Sequence, residues 1–319
     1  MAKVAVGVDI GGTNLRFGLV DAMGNILARK RMVTDAHQGV EKVMARIKRG
    51  IGDLIKKAEG SGHNVVGIGL GMPGIISHAE GIVRFSPNLA GWVDVPLRDA
   101  IAEGFGLPVF VENDANAYAL GEAWYGAGRG AKSLICITLG TGVGGGIILD
   151  GKVWRGADGM AGEVGHITVD PKGPECGCGN RGCLERYSSA TAVLEHTVIA
   201  LAKGKESSLK PLFKKHDGSL TADAVREAAE AGDKLALGVY KDAGKYLGIA
   251  LADLINLLNI ERVVIGGGMA GAWGLFIGPL QAEIDRRAFS IPADRCRIVR
   301  GLIDDDAAVI GSAGLALKK

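Results

Sequence analysis

The chain has 319 residues, 47% of them apolar and 23% charged. That is enough for two cored domains of ~100–200 residues and too apolar for extended disorder. Basic and acidic residues nearly balance, 37 to 35, with no basic block longer than Arg29-Lys30-Arg31, so no nucleic-acid partner is expected. Glycine is the outlier at 51 residues. The usual share is ~7%, and without a Gly-X-Y period the excess excludes collagen and points to close backbone approaches.

The chain opens with a β-rich run, Lys3–Ile10, followed by the turn Gly11-Gly12-Thr13 and further runs at 15–20 and 26–33, an antiparallel meander. The short start before Asp9 is not expected to act as a secretory signal, and the uncharged stretch 133–149 is crowded with glycine and threonine and too short for a membrane helix of ~20 residues. A soluble cytoplasmic protein without a membrane partner is expected. Apolar residues Val40, Val43, Ile47, Ile51, Leu54 and Ile55 predict a helix over 39–58. Strands are predicted at 65–70 and 109–111, and a helix at 115–124.

Residues 134–154 then repeat the opening order of strand, Gly-Thr turn, strand, acidic turn and strand, which implies a duplicated domain. Helices follow at 188–203, 222–231 and 234–259, a strand at 262–265, a helix at 273–287, a strand at 297–299 and a helix at 305–317. The last helix is expected to return to the first domain. The fold class is α/β, with two related lobes facing a cleft.

Three glycine turns end strands: Asp9-Ile10-Gly11-Gly12-Thr13, Leu139-Gly140-Thr141-Gly142 and Ile265-Gly266-Gly267-Gly268. None fits the Walker or dinucleotide pattern, but glycine lets backbone approach phosphate oxygens, and two turns sit equivalently in the duplication. Asp9 suits either a Mg²⁺–water complex or a turn carboxylate, and Arg16 either a phosphate contact or plain surface. Asp114, in Glu112-Asn113-Asp114, suits either a helix N-cap or a general base for phosphoryl transfer. His166 and Cys176-x-Cys178-x₄-Cys183 offer one imidazole and three thiolates, a closed tetrahedral set for structural Zn²⁺; three free thiols is the plainer alternative. Cys136 and Cys296 stand alone in strand-like surroundings.

Asp9-Ile-Gly-Gly-Thr13, Glu163-Val-Gly-His166 and Cys176-Gly-Cys-Gly-Asn-Arg-Gly-Cys183-Leu-Glu185 together resemble the ROK family of sugar kinases and repressors, within the actin and hexokinase superfamily. Gly71-Met-Pro-Gly74, Asn88-Leu-Ala-Gly-Trp92, Glu112-Asn-Asp114 and Gly266–Gly268 fall in family order, so the resemblance covers nearly the whole chain. It is strongest to the family's bacterial ATP-dependent glucose kinases. The resemblance implies a two-lobed actin/hexokinase-like (ribonuclease H-like) fold of duplicated domains. Residues 1–113 plus 303–319 would form the N-terminal lobe, and 114–302, with a zinc loop at about 163–185, the C-terminal one.

It also implies transfer of the γ-phosphoryl of MgATP to the 6-hydroxyl of glucose, with Asp114 as base. Asn113, Glu163, His166 and Glu185 would hold the other hydroxyls, with Gly71 and Asn88 lining the sugar pocket. Gly11, Gly12, Thr13, Thr141, Gly142, Gly266, Gly267 and Gly268 would surround the nucleotide, and Asp9 would serve the Mg²⁺ region. His166 would then serve both metal and sugar, one ring nitrogen each. Family members are usually dimers or tetramers, so a homo-oligomer is expected. Other hexoses (fructose, N-acetylglucosamine, N-acetylmannosamine) and a non-catalytic sugar sensor are the alternatives. Two departures stand out: Asn259-Ile260 replaces a frequent Asn-Pro, a change expected only to relax the loop, and the first strand starts without the helix-turn-helix of repressor members.

Overall fold

The computed structural model describes residues 2–318. The meander comes first: β1 (Lys3–Ile10), β2 (Asn14–Asp21) and β3 (Ile26–Val33) are antiparallel neighbours, with Val8 opposite Phe17 and Leu19 opposite Ala28. Then come α1 (Val40–Gly60), β4 (Asn64–Met72), the short strands β5 (Ile75–Ser77), β6 (Ile82–Phe85) and β7 (Val93–Val95), α2 (Leu97–Phe105), β8 (Val109–Asn113) and α3 (Asp114–Tyr125). The second half follows with β9 (Leu134–Leu139), β10 (Val143–Leu149), β11 (Lys152–Val153), α4 (Glu185–Ser188), α5 (Ala190–Ala202), α6 (Lys210–Lys215), α7 (Ala222–Glu230) and α8 (Lys234–Leu258). β12 (Arg262–Gly266), α9 (Trp273–Arg287), α10 (Ser290–Arg295), β13 (Arg297–Arg300) and α11 (Ala307–Leu317) complete the chain.

The expected duplication is visible in the sheets. One runs β3-β2-β1-β4-β8 and the other β11-β10-β9-β12-β13, the same order of third, second, first, fourth and fifth strand. β5, β6 and β7 make a separate antiparallel sheet that the sequence did not announce. The helix predicted over 188–203 is interrupted at Ser189, whose extended backbone (ψ 161°) starts α5 afresh and whose hydroxyl accepts from Ala192 N–H. Asn259 is a tight left-handed cap on α8 (φ 51°), with its side chain accepting from Arg295 at 2.5 Å. A proline at 260 would disfavour that conformation, so the Asn259-Ile260 departure fixes the loop rather than relaxing it.

By contacts the chain divides into two compact units: Met1–Cys136 with Gly146–Gly162 and Gly301–Lys319, and Ile137–Gly145 with Glu163–Arg300. The first thus includes α3, which the limits 1–113 and 114–302 leave out, because α3 packs on α11. In this unit the inward-facing residues of β1, β2 and β4 meet α1 and α2 in one apolar core, with Val6, Val8, Leu15, Ile68 and Leu70 against Ile47, Ile51 and Ile101. On the sheet's other face lies α11, with Ile310 and Ala313 packed on Ala5 and Val20.

Much of the glycine excess belongs to this second face. A Cβ on Gly69 of β4 would lie 1.8 Å from the Ser312 carbonyl oxygen, and one on Gly311 of α11 1.8 Å from that of Ala117 in α3. Helix and sheet backbones therefore touch directly, which only glycine permits. The return of the chain into α11 is fastened by Glu122, fully buried on α3. Its carboxylate accepts from the backbone N–H groups of Ala127 (2.7 Å), Leu302 (3.2 Å) and Ile303 (2.9 Å). Removing it takes the shared acceptor from three backbone donors, and leaves a cavity where a fully buried side chain stood. Glu122→Ala should cost roughly 3 kcal/mol or more of stability, read as a lower urea midpoint.

Candidate active site

β1, β4 and β8 run parallel and end together. Asp9 stands beside Gly71, and Gly71 beside Glu112, so the carboxyl ends of three strands carry Asp9, Gly71 and Glu112-Asn113-Asp114 on neighbouring rungs. In open α/β sheets this edge is where ligands bind. Asn113, not Asp114, caps α3: its side-chain oxygen accepts from Ala115 (2.9 Å) and Asn116 (3.2 Å) N–H. Asp114 is left as the first helical residue, half-buried, its carboxylate on Ala115 N–H at 2.9 Å.

Asp9 is largely buried and lies 3.5 Å from Arg16, which also reaches Asp305 at 3.6 Å. Burial, and then the neighbouring Asp114 carboxylate, push the Asp9 carboxyl up to about 7; Arg16 opposes the rise and Asp305 adds to it. The Gly11–Thr13 turn is braced by a residue the sequence reading missed. Thr34, fully buried at the end of β3, donates its hydroxyl to the Gly11 carbonyl (2.6 Å) and its N–H to that of Thr13 (2.9 Å). Gly12 lies against Asn88, whose backbone oxygen would be 3.2 Å from a Cβ there. Gly71 is buried; a side chain there would meet Ser312 and Ala117, so its bareness lets α3 and α11 close behind Asp114.

Glu112, also missed, is buried behind the same strand end. One carboxylate oxygen accepts from Arg155 Nε (2.9 Å) and Nη2 (2.6 Å), and the other from Asn113 N–H and Asn116 Nδ2, both at 3.1 Å. The buried charge is thus paired and hydrogen-bonded, which fixes the start of α3.

In the second unit, Glu163 and His166 share one short helical turn, with His166 N–H on the Glu163 carbonyl. His166 Nε2 lies 4.0 Å from the Glu163 carboxylate, while Nδ1 lies 3.7 Å from Cys176 Sγ. Cys178 and Cys183 Sγ are 3.7 Å apart, and ligand atoms of all four residues fall within 4.8 Å of one another. The hairpin that gathers them needs Gly182 (φ 64°), where a Cβ would lie 1.6 Å from the Asp170 carbonyl oxygen. Two residues beyond Cys183, Glu185 accepts from Val143 N–H at 2.9 Å, next to Thr141 and Gly142. Gly267 (φ 84°) passes over the backbone of Leu139, 2.5 Å from its oxygen as a Cβ would stand, whereas Gly268 has open space. Gly266 ends β12.

The sequence model of the ROK family matches residues 5–319. The chain belongs to the ROK family. It is 41% identical over 311 residues to the glucokinase of Halalkalibacterium halodurans, covering 97% of this chain and 94% of that one. A crystal structure of a ROK family glucokinase from Streptomyces griseus, in complex with glucose and AMPPNP, superposes with a TM-score of 0.82 at 35% identity, over 99% and 100% of the two chains. A ROK family transcriptional regulator, a homolog of the E. coli MLC protein, gives a TM-score of 0.90 at 28% identity, over 100% of this chain and 78% of that one. The fold is the actin/hexokinase-like one of the ROK sugar kinases, as the resemblance implied.

The folded chain holds Asp9 protonated up to about pH 7, whereas the unfolded chain ionises it above about pH 4. Asp9→Asn should therefore raise the melting temperature of the ligand-free protein. The gain grows between those two pH values and levels off above, at most roughly 1.4 kcal/mol per pH unit. Melting curves at about pH 5 and pH 8 check it: the advantage must be larger at the higher pH.

Proposed function

We propose that the protein transfers the γ-phosphoryl group of ATP to the 6-hydroxyl of glucose, with Asp114 as general base. The observation that carries this reading is the placing of Asp9 and Asp114 at the ends of β1 and β8, on either side of β4 and near enough for one carboxylate to act on the other, in a chain 41% identical to a glucokinase. The hydroxyl oxygen attacks the γ-phosphorus as its proton passes to an Asp114 oxygen; the bond to the β-bridging oxygen breaks and ADP leaves. Asn113, Glu163, His166 and Glu185 would hold the remaining hydroxyls, with Asn88 and Gly71 at the sugar. Gly11, Gly12, Thr13, Thr141, Gly142, Gly266, Gly267 and Gly268 would take the nucleotide. Mg²⁺, when bound with ATP, neutralises charge on the phosphates, and Asp9 would serve it.

The His166, Cys176, Cys178 and Cys183 set fits Zn²⁺. Tetrahedral Zn–S and Zn–N bonds of about 2.3 and 2.0 Å require ligand atoms about 3.5–3.8 Å apart, and the two pairs of neighbouring ligand atoms stand at 3.7 Å. Four protein ligands leave no open position, so the metal's role would be structural. Nδ1 of His166 faces the thiols, which leaves Nε2 for a sugar hydroxyl. The reading extends to a cytoplasmic homo-oligomer, dimer or tetramer, and to an N-terminal lobe of 1–113 plus 303–319 with a C-terminal lobe of 114–302.

Another hexose as acceptor changes the substrate and leaves this chemistry intact. A sugar-sensing regulator is the second reading, favoured by the TM-score of 0.90 to a transcriptional regulator. ADP release from MgATP with a panel of hexoses decides among them: glucose preferred supports the proposal, and no sugar-dependent ADP supports the regulator. Asp114→Ala should lower kcat about a thousandfold while calorimetry still detects nucleotide. Metal analysis should find one zinc per chain, and Cys183→Ser should lose it together with thermal stability.

A further inference from the structure

The two oxygens of Glu185 have different surroundings. Oε2 accepts from Val143 N–H at 2.9 Å, immediately after the Gly140-Thr141-Gly142 turn. A Cβ on Gly142 would lie 2.3 Å from that oxygen and 4.0 Å from Oε1, so the turn is bare where the carboxylate presses on it.

The same short segment grips the turn twice more. Ala190 N–H donates to the Gly140 carbonyl (2.8 Å) and Thr191 Oγ1 to the Thr141 carbonyl (2.7 Å). In a trans peptide the N–H points opposite to the carbonyl. Tying the carbonyls of Gly140 and Thr141 towards α5 therefore turns the N–H groups of Thr141 and Gly142 the other way, as an anion site needs. Val143 N–H, next in line, is claimed by Glu185.

We propose that Glu185 is a positioning residue for the phosphate-binding turn in addition to its place at the sugar: its Oε2 holds Val143 N–H and keeps the turn set to receive nucleotide even when no sugar is bound. This deepens the reading given above and rests on it. A residue that served only the sugar would leave nucleotide affinity in the absence of sugar untouched.

The test is calorimetric titration of the intact protein with AMPPNP and Mg²⁺, without sugar. Glu185→Gln keeps a carbonyl oxygen for Val143 N–H and should bind as tightly as the unaltered protein, or more tightly because a negative charge near the phosphates is gone. Glu185→Ala should bind more weakly by about tenfold or more, the loss expected for one charge-assisted hydrogen bond. Circular dichroism and zinc content of the variants, compared with the unaltered protein, separate this from misfolding. Unchanged or tighter binding by folded Glu185→Ala overturns the inference and leaves the kinase reading standing, as does equal weakening in folded Glu185→Gln. No nucleotide binding by the unaltered protein overturns both.

Discussion

Three parallel strands ending on one edge are the constraint on which the first unit's chemistry rests. Asp9, Gly71 and Glu112 are adjacent because β1, β4 and β8 are in register, and that register is fixed by the apolar residues on alternate positions of each strand. A slip of one residue would turn Val6, Val8, Ile68 and Leu70 away from α1 and carry Asp9 to the wrong face. The core thus positions the carboxylates. Burial then raises the proton affinity of Asp9, while Asp114 sits at the positive end of α3 on the cap supplied by Asn113.

In each unit the structure spends polar groups on holding backbone. Thr34 ties the Gly11–Thr13 turn, Glu112 the start of α3, Glu122 the approach to α11 and Glu185 the Gly140–Gly142 turn. In each case a buried or half-buried oxygen accepts backbone N–H donors, or a hydroxyl binds a backbone carbonyl, at a turn or an element's end. Turns rich in glycine gain freedom that ligand binding must remove. These side chains remove much of it beforehand, which is preorganisation in the ordinary physical sense.

Local pattern made much of this legible. Continuous apolar runs gave the main strands, the period of Val43, Ile47, Ile51 and Leu54 gave α1, and the Gly-Thr repeat pointed to the duplication that the two sheet orders display. His166 and its three cysteines lie within eighteen residues, close enough for spacing to speak. What escaped was either short or distant. β5, β6 and β7 have three or four residues each, and Phe85 and Val93 stay exposed, so no alternation marks them. Arg155 is 43 residues from Glu112, and Ile303 is 181 from Glu122. No local window contains both partners, and an acidic residue in a helical stretch reads as solvated until the fold buries it. The assignment of the cap to Asn113 rather than Asp114 turned on a single residue of helix boundary.

The placement of α11 also bears on how the molecule is made. β1 leaves the ribosome well before the helix that covers its second face, which comes about 300 residues later. At ~5–20 residues per second, that interval is about 15–60 s. For that time the glycine-lined face of β1 and β4 has no native cover, and Glu122 has not met Leu302 and Ile303. The nascent chain therefore carries a half-built sheet over that interval, and the first unit closes only when α11 emerges.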